Sequence, residues 1–125
     1  MNRPAIDVLL IDDEPAMLKV MACCLAQNGF TFRQAGDGRA AIPLLAQHRF
    51  KLIVTDIHMP EMDGFEVIMH CIAAMPEVTI LAISGGGNYE LPQGVLKPAR
   101  LLGCRRTLAK PFTSPEFLQI VNELV

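Results

Sequence analysis

Four apolar runs in this chain stop on a polar side chain able to do chemistry. "LLIDD" ends in Asp12 and Asp13, "LIVTD" in Asp56, "LAIS" in Ser84 and "TLAK" in Lys110. Carboxylates brought together repel, so either some take up protons or a cation neutralises them. The candidate ligands are all oxygens, which favours Mg²⁺ over zinc. Mg²⁺ usually takes one or two carboxylates with a phosphate oxygen and keeps several waters. With Lys110 as a point charge and Ser84 as a hydroxyl donor, the set suits a phosphoryl group. Asp56 could then be a nucleophile, since carboxylates form acyl phosphates as covalent intermediates.

Such a set works only if the fold brings it together. "IDVLLID" (6–12) reads as a strand, followed by a helix in "EPAMLKVMACCLAQNG", with Pro15 in its first turn, Leu18, Met21, Ala22 and Leu25 on one face, and Gly29 as C-terminal cap. "FTFRQA" (30–35) alternates as an edge strand does, "GDG" (36–38) is a turn, and "RAAIPLLAQH" (39–48) is helical with Pro43 in or near the first turn. "KLIVTD" (51–56) is a third strand, followed by a helix from about Phe65 to Met75 with Asp63 as its cap rather than a catalytic acid. "TILAIS" (79–84) and "RTLAK" (106–110) complete five strands. The last helix takes Ser114 as cap, Pro115 in its first turn, and Phe117, Ile120, Val121 and Leu124 inward. Between 85 and 103, Pro92, Gly94 and Pro98 predict a long mobile loop and a short or kinked fourth helix from about Lys97 to Leu102.

Strand and helix alternate throughout, which argues an α/β fold with a parallel sheet covered on both faces. In such a sheet ligands bind beyond the carboxyl ends of the strands, at the topological switch point. With the strand order 2-1-3-4-5, the four strands that end in chemistry are neighbours. Strands lie ~4.8 Å apart, so the tips of the third and fifth are ~10 Å apart. A lysine stem reaches about 6 Å, enough to carry the Lys110 ammonium toward Asp56 across Ser84.

"LLIDDEP", "LIVTDIHMPEMDGFEVI", "TILAISG" and "LGCRRTLAKPF" together resemble the signatures of the response-regulator receiver domain of two-component signalling, over essentially the whole chain. The resemblance implies a flavodoxin-like (βα)₅ doubly wound sheet forming one receiver domain over 1–125. It implies a phosphorelay switch in the cytoplasm that takes phosphate from a histidine kinase or histidine phosphotransfer protein. Its phosphorylation state would alter binding to a downstream protein. On that match Asp56 is the phosphoacceptor. Asp13, Asp56 and the backbone carbonyl of His58 hold Mg²⁺, with Asp12 acting through water. Ser84 hydrogen-bonds the phosphoryl group, Lys110 pairs with it, and Lys110–Pro111 is a cis peptide. Such a domain catalyses only its own phosphorylation and slow dephosphorylation, and is not primarily an enzyme.

Thr107 departs from the pattern, standing where the family usually places an aromatic ring that moves with the Ser84 position. A threonine offers little surface for that switch, so signalling could run instead through the glycines of the 85–100 loop. His58 reads either as a control on water access or as an incidental exposed side chain. His48 and His70 read as helix-end or surface residues. Lys97, Arg100, Arg105 and Arg106 read as a solvated surface before a partner-binding face.

Bulk properties narrow the alternatives. The 125 residues are 51% hydrophobic and 19% charged with a net charge of −2, which argues a folded domain without the electrostatic footprint of nucleic-acid binding or a membrane surface. No apolar run approaches the ~20 residues of a membrane span. Cys23, Cys24, Cys71 and Cys104 form no CxxC pair or zinc spacing and read as reduced, small core hydrophobes. The final helix ends at the chain end, so the expectation is either a stand-alone regulator or a receiver taken from a longer protein. Three other functions compete. A Mg²⁺-dependent aspartyl phosphatase of the haloacid-dehalogenase type needs D-x-D, whereas Asp12 and Asp13 are adjacent. A degenerate, phosphate-independent interaction module would not need the intact acids and Lys110. A flavin-binding flavodoxin needs hydroxyls and amides where this chain has "DDEP".

Overall fold

The computed structural model describes residues 5–57, 64–84 and 104–125, the side chains of 64 and 65 excepted. In chain order the elements are β1 (Ala5–Ile11), α1 (Pro15–Gln27), β2 (Phe32–Ala35), α2 (Gly38–Gln47), β3 (Arg49–Asp56), α3 (Gly64–Ala74), β4 (Thr79–Ser84), β5 (Arg106–Ala109) and α4 (Ser114–Leu124). The strands form one parallel sheet in the order β2-β1-β3-β4-β5, as the alternation of elements predicts. The expected fourth helix near 97–102, the 85–100 loop and the Asp63 cap lie outside the described residues.

Helices cover both faces, so the central strands bury both rows of side chains and read as unbroken apolar runs. On one face Val8, Leu10, Leu52, Val54, Leu81 and Ile83 pack with Met21 and Leu25 of α1 and Phe117, Ile120 and Val121 of α4. On the other, Leu9, Ile11, Ile53, Ile80 and Ala82 pack with Ala41 and Leu45 of α2 and Val67, Ile68 and Cys71 of α3. Phe117 is fully buried, and its truncation to alanine costs about 3–5 kcal/mol.

Local signals hold at most boundaries. Gly29 follows α1 at φ 79°, its N–H bonding Ala26 while that of Phe30 reaches Leu25, a Schellman closure that a left-handed glycine permits. Asp37 caps α2 by accepting from the Ala40 N–H at 2.8 Å. Three expectations are corrected. Pro43 lies inside α2, beyond its first turn, where its missing N–H removes one helical hydrogen bond. Thr113, not Ser114, caps α4, because Glu116 stands three residues on and completes a reciprocal capping box. Cys23 is exposed, while Cys24, Cys71 and Cys104 are buried as expected, all four as free thiols. β2 is an edge strand without clean alternation, since both Arg33 and Gln34 are exposed; Thr31 before it exchanges two hydrogen bonds with Asp7. No helix among the described residues is long and apolar enough to cross a membrane.

Candidate functional site

Register brings the strand ends level. Ile11 lies opposite Thr55, Asp56 opposite Ile83, and Ser84 opposite Ala109, so the next residue on each of β1 and β5, Asp12 and Lys110, also reaches the carboxyl rim. Side chains alternate across a strand. Asp12, Asp56 and Lys110 continue the rows of Leu10, Val54 and Leu108, which face α1 and α4; Ser84 continues the row of Ala82, which faces α2 and α3. The rim is thus supplied from both faces of the sheet.

Lys110 is its hub. The ammonium donates to Asp12 Oδ2 at 2.9 Å, Asp56 Oδ2 at 3.0 Å and Glu14 Oε1 at 2.9 Å. Its backbone N–H donates to the Ser84 carbonyl at 2.8 Å, and the cis Lys110–Pro111 bond implied by the family resemblance is present. The expected reach toward Asp56 is there, but the side chain also engages Asp12 and Glu14. Glu14 was not singled out from the sequence. The signal was the third acid of "DDEP", which reads first as part of a helix start.

Asp12 is fully buried, its Oδ1 accepting from the Glu14 N–H at 2.9 Å. Burial pushes its pKa up to about 6; the Glu14 amide and Lys110 pull it down, and the neighbouring Asp56 charge pushes it up again. Burial works against the Lys110 charge, yet Glu14, Asp12 and Asp56 outweigh it and hold the ammonium above the ordinary lysine range. Ser84 is fully buried, and its Oγ has no hydrogen-bond partner among the described residues. Buried hydroxyls are nearly always satisfied, so this one is suited to an incoming acceptor.

Asp12, Asp13 and Asp56 each offer a carboxylate oxygen within 4.8 Å of the others. Opposite ligands of an octahedral Mg²⁺ stand about 4.2 Å apart, so small side-chain shifts would let one ion bridge the set. Asp12, Glu14 and Asp56 share one ammonium and Asp13 adds a further carboxylate beside Asp12 and Asp56, so the unbalanced negative charge also fits a divalent cation. Thr107 pairs with Ala82 on the strand face away from Lys110 and is partly buried. His58 lies outside the described residues. His48 closes α2 and meets Phe50 edge-on, His70 is exposed on α3, Arg105 is exposed, and Arg106 pairs with Glu123 of α4.

A family model for the response regulator receiver domain matches residues 8–122. The chain belongs to that family. Receiver domains are signalling switches that work with kinases and downstream targets in two-component systems. This receiver is 32% identical over 118 residues to the nitrogen assimilation regulatory protein NtrX of Azorhizobium caulinodans, covering 93% of this chain and 25% of that protein. The chain spans about a quarter of the length of the curated relatives it matches first. Its fold superimposes with a TM-score of 0.85 on the chemotaxis protein CheY4 of Vibrio cholerae, at 23% identity and covering 98% of this chain and 100% of that one. A response regulator from Burkholderia pseudomallei, solved with a phosphorylated aspartic acid, calcium ion and citrate, matches with a TM-score of 0.81 at 25% identity, over 93% of this chain and 66% of that chain.

Proposed function

We propose that this receiver accepts phosphate on Asp56 from a phosphohistidine on a histidine kinase or phosphotransfer protein, and that the phosphorylated form changes its affinity for a downstream protein. The observation that carries this reading is the ammonium of Lys110 held between Asp56 and Asp12, beside a Ser84 hydroxyl that has no hydrogen-bond partner among the described residues. An Asp56 oxygen attacks phosphorus; a P–O bond forms as the P–N bond to the donor histidine breaks. The bonding pair stays on the imidazole nitrogen, and the ring leaves neutral once it holds a proton. Lys110 then donates to one phosphoryl oxygen and Ser84 Oγ to another, stabilising charge that is absent from the resting carboxylate. Asp13, Asp56 and the His58 carbonyl would hold Mg²⁺, with Asp12 through water. When bound, the ion supplies positive charge against the phosphoryl oxygens. A Burkholderia relative solved with a phosphorylated aspartic acid supports the phosphoacceptor assignment.

In this reading residues 1–125 act as one cytoplasmic receiver domain, and its catalysis is confined to its own phosphorylation and slow dephosphorylation. Movement of Ser84 is relayed without an aromatic partner at Thr107. The test is labelling with acetyl phosphate and Mg²⁺, read by intact mass. Wild type gains one phosphate and Asp56→Asn gains none. A wild type that never labels would make this a phosphate-independent interaction module, and sustained turnover of generic phosphate esters would make it a phosphatase.

A further inference from the structure

β3 starts before one of its neighbours does. Arg49 pairs with Ala5 of β1, but pairing with β4 begins only where Leu52 meets Thr79. On the β4 side residues 49–51 therefore meet no strand, and the connection from α3 to β4 crosses that step instead, closed by a bond from the Val78 N–H to the Met75 carbonyl at 3.0 Å. A cavity of about 580 Å³ lies between the two. It sits at the amino end of β3, the end opposite Asp56. Small-molecule sites have this size, an apolar lining and a few polar groups that fix orientation.

Phe50, Met75 and Val78 supply the apolar wall, continuous with the core against α2 and α3. The charged lining is Arg49 and Lys51 from β3 and Glu77 from the turn, all exposed. Lys51 is committed to Asp7 at 3.3 Å, whereas the Arg49 guanidinium makes no hydrogen bond or ion pair among the described residues. A planar fork of donors left open beside apolar surface matches a carboxylate through two parallel bonds.

We propose that this cavity binds a small carboxylate with an apolar body, the carboxylate on Arg49 and the body against Phe50, Met75 and Val78. Glu77 repels an anion, so the carboxylate belongs on the β3 side. The site is separate from the phosphoacceptor rim, and the inference does not rest on that reading.

The test titrates indole-3-acetate into isotope-labelled protein and follows the backbone amides by NMR, with indole-3-ethanol as the uncharged counterpart. Saturable shifts are expected at residues 49–51 and in the turn that follows α3. Two changes are each expected to weaken binding by about tenfold, the order of a charge-assisted contact. One is the exchange of acid for alcohol. The other is Arg49→Gln, an exposed substitution whose spectrum should otherwise match wild type. The absence of saturable shifts at the cavity with millimolar probe overturns the proposal, as does a response centred on Asp12, Asp56 and Lys110. Equal affinity for the two probes overturns the choice of a carboxylate, and equal affinity of wild type and Arg49→Gln for the acid overturns the role of Arg49.

Discussion

Lys110 Nζ lies 2.9 Å from Asp12 Oδ2, although 98 residues separate them in the chain. The contact joins the two strands that flank β3 and β4, and so closes the rim over Asp56 and Ser84. Asp12 remains buried among other carboxylates despite this partner, and that tension makes the site sensitive to protons.

The stability of the metal-free protein is expected to fall as pH rises from about 4 to about 6. Asp12 is raised from 3.8 to about 6, so within that window the folded state keeps a proton that the unfolded chain has lost. The stabilisation is complete below the unfolded value and gone above the folded one. Asp7 acts oppositely. Burial raises its pKa, but the Thr31 and Lys51 contacts outweigh it and hold it low, so its contribution is present above its ordinary value and lost as pH drops below it. Urea midpoints in EDTA should therefore decline between about pH 4 and about pH 6, and Asp12→Asn should abolish the decline.

Ser84→Ala separates folding from phosphate retention. Removing a buried hydroxyl that has no partner among the described residues should leave the resting protein as stable as wild type or more stable by about 1 kcal/mol. The same variant should hold less phosphate after acetyl phosphate labelling. Denaturant unfolding and intact mass on one preparation check both; a large loss of stability would show that the hydroxyl has a structural partner.

Thr113→Ala breaks the capping box three residues after Lys110 and should destabilise the protein by about 1 kcal/mol. Thr113→Ser should restore most of that loss, whereas Ser114→Ala should be nearly neutral. Thermal or urea unfolding of the three variants gives the ranking.

A thiol reagent at pH 8 should modify Cys23 rapidly and the other three cysteines only on unfolding. Burial pushes the Cys71 thiol up to about 12 and the Cys104 thiol up to about 11, so neither offers appreciable thiolate. Timed mass spectrometry with and without denaturant counts the adducts.

The strands were legible because parallel strands buried on both faces must be apolar runs, and "LLI", "LIV" and "LAI" admit little else. The rim was legible because each run stops on a group that cannot be buried without a reason. Details set by tertiary geometry were not. Asp12 as a partner of Lys110 depends on side-chain parity across three strands, and Glu14 is indistinguishable from an acid opening a helix until its carboxylate is seen to turn. Adjacent hydroxyls at Thr113 and Ser114 offered two caps; the spacing to Glu116 decides between them. Pro43 was placed near a first turn by its propensity, but Asp37 anchors α2 early enough to draw it inside.

The division of the rim between the two rows of side chains has a mechanical consequence. Lys110, Asp12 and Asp56 extend the ply packed on α1 and α4, while Ser84 extends the ply packed on α2 and α3. A ligand gripped by both becomes a rivet through the laminate, so its arrival or loss pulls on opposite sides of the molecule at once. Two separate surfaces can then sense one chemical event.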